Sequence, residues 1–173
     1  MGIVTKTGDK GKTSLYCGRR VHKDDARIEM CGALDEVSSF LGMAKSALRD
    51  KRTKGIVHSI QRDILILGSE VATSAAGANK IKKRIGRDSI SVIEREIEYF
   101  ENGRMVRISS FCIPGKGAAS SALDVARAIT RRAERRSVTL FKKGAFDNPN
   151  IIVYLNRLSD LLYLLARSSE SKR

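Results

Sequence analysis

Apolar residues recur at every third or fourth position along most of the chain, a spacing that predicts amphipathic helices rather than strands. Only two prolines occur in 173 residues, so few positions interrupt this pattern. Five helices are predicted, over residues 25–49, 52–76, 89–101, 118–142 and 149–168. Asp88 is expected to cap the third helix, and Pro149 to lie in the first turn of the fifth.

The expected fold is all-α, an up-and-down bundle of five helices, because successive helices with short connections pack as antiparallel neighbours. The whole chain, 1–173, is expected to form one domain. In that domain, residues 1–24 form an irregular N-terminal segment and residues 169–173 a frayed tail.

A charged stripe follows one side of the predicted fourth helix. At about 100° per residue, it contains three arginines and two carboxylates: Arg127, Arg131, Arg135, Asp124 and Glu134. The opposite, apolar face is predicted to join the core: Ala122, Ile129, Ala133 and Leu140. Arginines four residues apart repel one another, and two carboxylates do not neutralise three of them. The stripe therefore favours contact with an anion or a partner subunit's carboxylate; a solvated face with weak ion pairs is the alternative.

The predicted fifth helix has a broad apolar side and a narrower polar one. The apolar side consists of leucines: Leu155, Leu158, Leu161, Leu162 and Leu165. The polar side has hydrogen-bonding residues of low net charge: Asn156, Ser159, Asp160 and Tyr163. A stripe that faces only solvent is more often rich in lysine and glutamate, so this one indicates contact with a polar group. An ordinary solvated stripe is the alternative.

Positive charge is concentrated in three short segments. The chain contains 33 Lys and Arg against 19 Asp and Glu, a net charge of +14. Residues 1–23 carry a net +5, residues 80–87 another +5 and residues 127–143 a net +6, so the remainder is slightly acidic. This distribution predicts a polyanionic partner, which could be nucleic acid, anionic lipid or a nucleotide polyphosphate. A solubilising surface without a partner is the alternative for any one segment.

The N-terminal sequence TKTGDKGKTS, residues 5–14, combines two glycines, three lysines and several hydroxyls. It is not a P-loop, because Lys6 stands where the first glycine is required and no strand precedes it. Glycines leave backbone N–H groups accessible, while lysines and hydroxyls can bind phosphates and a hydrated cation. The segment is therefore a candidate phosphate-binding site, and a disordered tail is the alternative.

Other chemistries find little support in the sequence. The three cysteines, Cys17, Cys31 and Cys112, are far apart and are expected to be reduced thiols buried as small apolar residues. His22 and His58 lack the spacing of zinc or di-iron ligands. No run of residues has the length and apolarity of a membrane span or signal peptide, so a cytoplasmic protein is expected.

Five separated motifs follow one another along the chain: TKTGDKGKT at 5–13, GALDEVS at 32–38, FCIPG at 111–115, ARAITRRAER at 126–135 and YLNRLSD at 154–160. Their order and spacing resemble those of the PduO-type ATP:cob(I)alamin adenosyltransferases, and the resemblance covers nearly the whole chain. Members of that family are five-helix bundles that assemble as homotrimers, with ATP between neighbouring subunits and the corrinoid beside it.

The resemblance implies an ATP site at the interface between protomers. The N-terminal segment would wrap the triphosphate and Mg²⁺, and the charged stripe of the fourth helix would face it. The implied ATP-binding residues are Thr5, Lys6, Thr7, Gly8, Asp9, Gly11, Thr13, Ser14, Lys23, Arg131, Glu134, Arg135 and Asn156. Mg²⁺ would be held through the ATP phosphates, with Glu134 as the candidate protein ligand.

The resemblance also implies four catalytic residues: Arg131, Arg127, Asp35 and Phe111. Asp35 should pair with Arg127 across the interface, and Phe111 should lie over the lower face of the corrin and leave a four-coordinate cob(II)alamin. After reduction, cob(I)alamin would attack the 5′ carbon of ATP, giving adenosylcobalamin and triphosphate without a general base. Cationic groups would stabilise the charge that grows on the departing oxygen.

The sequence departs from the family pattern at Lys116, where a second glycine is usual, and at Asp124, where a histidine is common. Lys116 is expected either to contact the corrinoid or a phosphate, or to point to solvent. Two other functions stay open: a small basic nucleic-acid-binding protein without activity, and a corrinoid-handing protein or scaffold without turnover. If the enzyme is present, its expected partners are two further copies, ATP, the corrinoid and a candidate flavoprotein reductase, with neither nucleic acid nor membrane.

Overall fold

A computed structural model of the chain describes residues 2–16, 18–73, 77, 81–102 and 112–170. Over these residues it contains five helices: α1 (Ala26–Ala47), α2 (Lys51–Val71), α3 (Arg87–Asn102), α4 (Ala118–Lys142) and α5 (Asn150–Glu170). Helix α1 packs against α2 and α4, while α5 packs against α3 and α4. The predicted all-α bundle of five helices is therefore confirmed.

A small antiparallel sheet precedes the helices, and the helical periodicity does not predict it. Strand β1 (Lys12–Ser14) pairs with β2 (Arg20–His22), with Thr13 opposite Val21. After β1, the backbone N–H of Tyr16 donates a 2.9 Å hydrogen bond to the carbonyl of Ala72, just beyond α2. The sheet is therefore attached to the bundle, and residues 2–16 do not form the disordered tail of the alternative interpretation.

Local hydrogen bonds set the ends of α2. The carboxylate of Asp50 accepts hydrogen bonds from the backbone N and Oγ1 of Thr53, at 2.9 and 2.6 Å, so the helix begins at Lys51. The helix ends at Val71 rather than at the predicted residue 76. After Val71 the chain tightens, with the backbone N of Thr73 donating to the carbonyl of Glu70 at 3.1 Å, and the carbonyl of Ala72 accepts the hydrogen bond from Tyr16. Helix α4 has its predicted bounds.

Two further helix ends differ from the prediction. Helix α3 begins at Arg87, so Asp88 lies inside its first turn and does not cap it. An acidic residue in the first turn still interacts favourably with the helix dipole. Helix α5 begins after Asn148, whose Oδ1 accepts a 3.1 Å hydrogen bond from the backbone N of Asn150, and it continues to Glu170. The first two residues of the expected frayed tail are thus helical.

The core fills the space between the helices as the apolar patterns predict. The predicted core residues of α4 and the five leucines of α5 are all buried. The fully buried Tyr154 donates a 3.0 Å hydrogen bond from its hydroxyl to Oδ2 of Asp63. Burial, together with this carboxylate, raises the pKa of Tyr154 well above its usual value, so the hydroxyl remains a donor. Across the described ranges, no helix has both the length and the apolarity that crossing a bilayer demands.

A buried carboxylate on α2 ties the second basic segment to the bundle. Glu70 accepts hydrogen bonds from Nε of Arg84 at 2.9 Å, from Nδ2 of Asn148 at 2.9 Å and from the backbone N of Ile85. Arg84 also forms an ion pair with Asp147, in the connection between α4 and α5. The end of α2, residues 84–85 and the start of α5 are therefore held together around one buried anion.

Candidate nucleotide-binding site

The N-terminal segment folds into two successive turns before β1. The backbone N of Asp9 donates to the carbonyl of Lys6 at 3.4 Å, and that of Gly11 to the carbonyl of Gly8 at 3.1 Å. Lys6 and Gly11 have φ angles of 56° and 70°, in the left-handed region. Glycine adopts this conformation freely, whereas a lysine does so at a cost of about 1–2 kcal/mol. A left-handed lysine is unusual and often marks a ligand site, and turns of this kind present N–H groups to anions.

Two basic side chains close around these turns. Arg20 of β2 donates from Nη2 to the carbonyls of Thr7 and Lys12, at 2.7 and 3.2 Å. The side chain of Lys23 lies over Gly8, so close that a Cβ at position 8 would be 3.2 Å from its Nζ. The fold thus brings Lys23 to the predicted segment. Arg20 was not among the predicted site residues, since nothing in sequence separates an arginine that binds carbonyls from one that faces solvent.

The other predicted residues of this segment are exposed or half-buried and lie on the turns or on β1: Thr5, Thr7, Thr13 and Ser14. The hydroxyls of the first two are 2.9 Å apart. The predicted residues of the N-terminal segment are therefore accessible to a ligand.

The five arginines of α4 fall into paired and unpaired groups. Two form ion pairs with glutamates of α1: Arg132 with Glu36, and Arg136 with Glu29 at 3.0 Å. Arg131 and Arg135 are exposed, and their side chains make no hydrogen bond or ion pair with any residue that the structure describes. Two like charges one turn apart are therefore left uncompensated, as the stripe predicts.

Arg127 differs from the other arginines because its neighbouring carboxylate lies on the same helix. Its Nε is 3.7 Å from Oδ1 of Asp124, too far for a hydrogen bond. Asp124 is buried, so it does not belong to the exposed stripe in which the sequence placed it. Asp35 is exposed on α1, and within the described chain it forms no ion pair with Arg127. Their pairing across an interface stays a prediction.

Helices α4 and α5 meet at two of the predicted site residues. Asn156 donates from Nδ2 to Oε1 of Glu134 at 3.0 Å, and its own Oδ1 accepts a 3.1 Å hydrogen bond from Arg157. No described residue donates to Oε2 of Glu134. Within the part of the chain that is described, no three His, Cys, Asp or Glu side chains gather as a metal site would require. A cation at Glu134 would therefore take its other ligands from a bound phosphate chain or water.

The cysteines that the structure describes are reduced, as predicted, but are more accessible than expected. Cys31 and Cys112 are free thiols, but both are half-buried rather than buried. Burial, with a smaller contribution from Asp35, raises the pKa of Cys31 to about 11. Phe111 and Cys17 lie outside the described residues.

A helical bundle with a turn-rich cationic segment and unpaired arginines on one helix is typical of proteins that bind a polyanionic ligand. The chain matches the family described as cobalamin adenosyltransferase over residues 3–169, and it belongs to that family. The resemblance drawn from the five motifs is therefore confirmed, and with it the class of enzyme.

Individual relatives agree with this membership. The corrinoid adenosyltransferase of Citrobacter freundii is 37% identical over 169 residues, which cover 98% of this chain and 95% of that protein. The corrinoid adenosyltransferase PduO of Salmonella typhimurium is 36% identical over 171 residues, 99% of this chain but only 50% of the relative. This chain therefore spans about half of that longer protein.

The fold is shared with solved structures. One is a phenylalanine-to-alanine variant of the PduO-type ATP:corrinoid adenosyltransferase from Lactobacillus reuteri, complexed with cobalamin and ATP. It matches with a TM-score of 0.87 at 30% identity, over 98% of this chain and 93% of that chain.

Proposed function

We propose that the chain transfers the 5′-deoxyadenosyl group of ATP to the cobalt of cob(I)alamin, giving adenosylcobalamin and triphosphate. The observation that carries this proposal is the unpaired state of Arg131 and Arg135, beside Glu134 and Asn156, in a cobalamin adenosyltransferase bundle. A solved relative of the same fold binds both cobalamin and ATP. The nucleic-acid-binding alternative is not favoured, because the family match accounts for the basic segments without it.

The N-terminal segment would bind the triphosphate of ATP. The left-handed turns at Lys6 and Gly11 support this role, since the ammonium of Lys23 lies beside Gly8 between them. No hydrogen bond or ion pair between described residues links this segment to α4 within one chain. This separation supports a site that two protomers share, with the segment from one and α4 from the other.

The proposed assembly is a homotrimer. In it, Arg127 of each protomer would pair with Asp35 of the partner subunit, which fits the exposure of Asp35 and its lack of a described ion pair in the chain. The mass of the protein in solution, measured by light scattering, tests the trimer. Reversing both charges, with Asp35→Arg and Arg127→Asp, should restore activity that either single change removes, if the two residues pair.

The reaction needs alignment and charge stabilisation rather than proton transfer. The electron pair of Co(I) forms the cobalt–carbon bond, the bond from the 5′ carbon to the triphosphate oxygen breaks, and cobalt ends as Co(III). Negative charge grows on the departing oxygen, where arginine, lysine and Mg²⁺ would stabilise it. One aimed donor is worth about 2.7–4 kcal/mol in a water-excluded site. An exposed ion pair is worth only about 0–1 kcal/mol.

Several finer parts of the proposal rest on the family resemblance. Mg²⁺ would accompany the ATP phosphates, and Oε2 of Glu134 is the candidate protein ligand. Phe111 would cover the lower face of the corrin. A flavoprotein reductase would supply the electrons, and the cytoplasmic location stays a prediction.

The test is anaerobic incubation with ATP, Mg²⁺ and chemically reduced cobalamin, in which the spectrum of adenosylcobalamin should appear. Arg131→Ala should lower kcat by about 10²–10³-fold with unchanged helical content, because one transition-state donor is lost. Arg132→Ala is the matched control, since the neighbouring Arg132 already pairs with Glu36. Wild-type turnover in Arg131→Ala would contradict the role of that residue. Absence of product from the wild type, together with salt-sensitive binding to duplex DNA, would favour the alternative.

A further inference from the structure

Five charged side chains of alternating sign connect α4 with the end of α5 and the loop before α4. In order, this charge network consists of Arg127, Asp124, Arg167, Glu170 and Lys116. Asp124 lies 3.7 Å from Nε of Arg127 through Oδ1, and its Oδ2 accepts a hydrogen bond from Arg167. Nη2 of Arg167 is 3.2 Å from Glu170, and the other oxygen of Glu170 is 3.9 Å from Nζ of Lys116.

The middle of the charge network is buried, whereas its ends reach solvent. The side chains of Asp124, Arg167 and Glu170 are 4%, 8% and 10% exposed, against 31% for Arg127 and 67% for Lys116. Buried charges are screened little by water or salt, so their attractions are stronger than those of surface pairs. Asp124 is thus a fixed anion inside the bundle, held by a buried arginine from another helix.

This anion acts on one edge of Arg127. Nε of Arg127 is buried and has no hydrogen-bond partner among the described residues, although it faces Asp124. Because the guanidinium is planar and rigid, fixing the direction of Nε also fixes the directions of its other N–H groups. We propose that Asp124, held by Arg167, is a positioning residue that orients Arg127 for its partner on the neighbouring protomer. The inference rests on the proposed function, in which Arg127 pairs with Asp35 of the partner subunit.

The test is a double-mutant cycle between Asp124→Asn and Arg127→Ala. Asparagine keeps the shape of Asp124 and removes its charge. The readouts are kcat/KM for ATP and, without corrinoid, the dissociation constant of ATP from calorimetric titration, which needs no turnover. When Arg127 is present, Asp124→Asn should lower kcat/KM and raise the dissociation constant of ATP, each about tenfold. When residue 127 is alanine, each change should be less than twofold. That difference, at least fivefold, is a coupling of about 1 kcal/mol or more.

A merely structural role would give a different result. In that case Asp124→Asn would weaken ATP binding equally in both backgrounds, and the inference would be overturned. Glu29→Gln is the matched control, because it neutralises a carboxylate paired with another arginine of α4 and should leave both readouts at wild-type values.

A second variant covers the case in which Asp124→Asn fails to fold. Asp124→Asn combined with Arg167→Met removes both charges of the buried pair, and Glu170, which loses Arg167, keeps its contact with Lys116. This double variant is used in the same cycle in place of Asp124→Asn. If it has the ATP affinity and turnover of the wild type, and the wild type performs adenosyl transfer, the inference is overturned and the proposed function is not. Wild-type protein that binds no ATP would overturn the proposed function and the inference with it.

Discussion

Replacing Glu70 by alanine removes an acceptor that three donors share. The side chain of Glu70 is 1% exposed and accepts hydrogen bonds from Arg84, Asn148 and the backbone N of Ile85. Two of these donors keep another partner in the variant. Asn148 still donates to the carbonyl of Ile85 at 2.8 Å, and Arg84 keeps its ion pair with Asp147. The N–H of Ile85, which is buried, loses its acceptor.

The expected loss of stability follows from these contacts. A buried N–H group left without an acceptor costs about 1–3 kcal/mol. Removing one partner of a fully buried ion pair costs about 3–5 kcal/mol. Arg84 is 39% exposed and keeps Asp147, so its loss of Glu70 costs closer to the value of an exposed ion pair, about 0–1 kcal/mol. We expect Glu70→Ala to lower the free energy of unfolding by about 3 kcal/mol, a large part of the roughly 5–15 kcal/mol of a typical protein.

Urea unfolding followed by far-ultraviolet circular dichroism measures this change. Variants are compared at one protein concentration, because assembly makes apparent stability depend on concentration. Glu96→Ala is the control, since Glu96 pairs with the accessible Arg52 and should cost only about 0–1 kcal/mol. A Glu70→Ala loss no larger than that of the control would refute the reasoning that the buried acceptor stabilises the fold.

Three other predictions concern separate features of the structure. Gly11→Ala should weaken ATP binding and lower the free energy of unfolding by about 1–2 kcal/mol, because φ is 70° at this position. Gly2→Ala should change neither quantity. Equal ATP affinities of the two variants would contradict this prediction. The Arg84 guanidinium holds the pKa of Asp147 below its usual value, so this pair contributes stability above about pH 4 that is lost as pH falls through the depressed pKa. Urea midpoints for Asp147→Asn should therefore be lower near neutral pH and fall less in acid. Cys31, with a pKa of about 11, should react with iodoacetamide at about pH 8 at least a hundredfold more slowly than a free cysteine peptide, as peptide mass spectrometry would show.

The helices could be predicted because their signals are local and repeated. The bounds of α4 follow from Pro114 and Gly115 just before it and from an apolar face that recurs through Leu140. The sheet could not be predicted in the same way. Its strands have three residues each, too few for an alternating pattern, and the hairpin is attached to the bundle by the bond from Tyr16 to Ala72. That bond joins residues far apart in sequence, which a local pattern does not report.

The candidate site was predictable as a set of residue types but not as a set of partners. The sequence shows which charges lie on one face of a helix. Whether each charge is neutralised depends on its ion-pair partner, which belongs to another helix. Glu36 is 96 positions from Arg132 and pairs with it, so that arginine is compensated although it belongs to the same basic segment as Arg131. In the same way, Asp124 is neutralised by Arg167, 43 residues away, and leaves the exposed stripe.

The two positions that depart from the family pattern acquire a physical meaning from these long-range contacts. Asp124 brings a negative charge into the bundle, and Lys116 brings a positive one to its edge. Glu170 and Arg167 lie between them, so the signs alternate without a like-charged contact. Asp124 supplies an anion between the two arginines, and Lys116 adds an exposed cation next to Glu170, so each contact in the network joins opposite charges. Arg127 is the member of this network that is proposed to pair with Asp35 of the partner subunit, so we expect the network to affect ATP binding through that arginine.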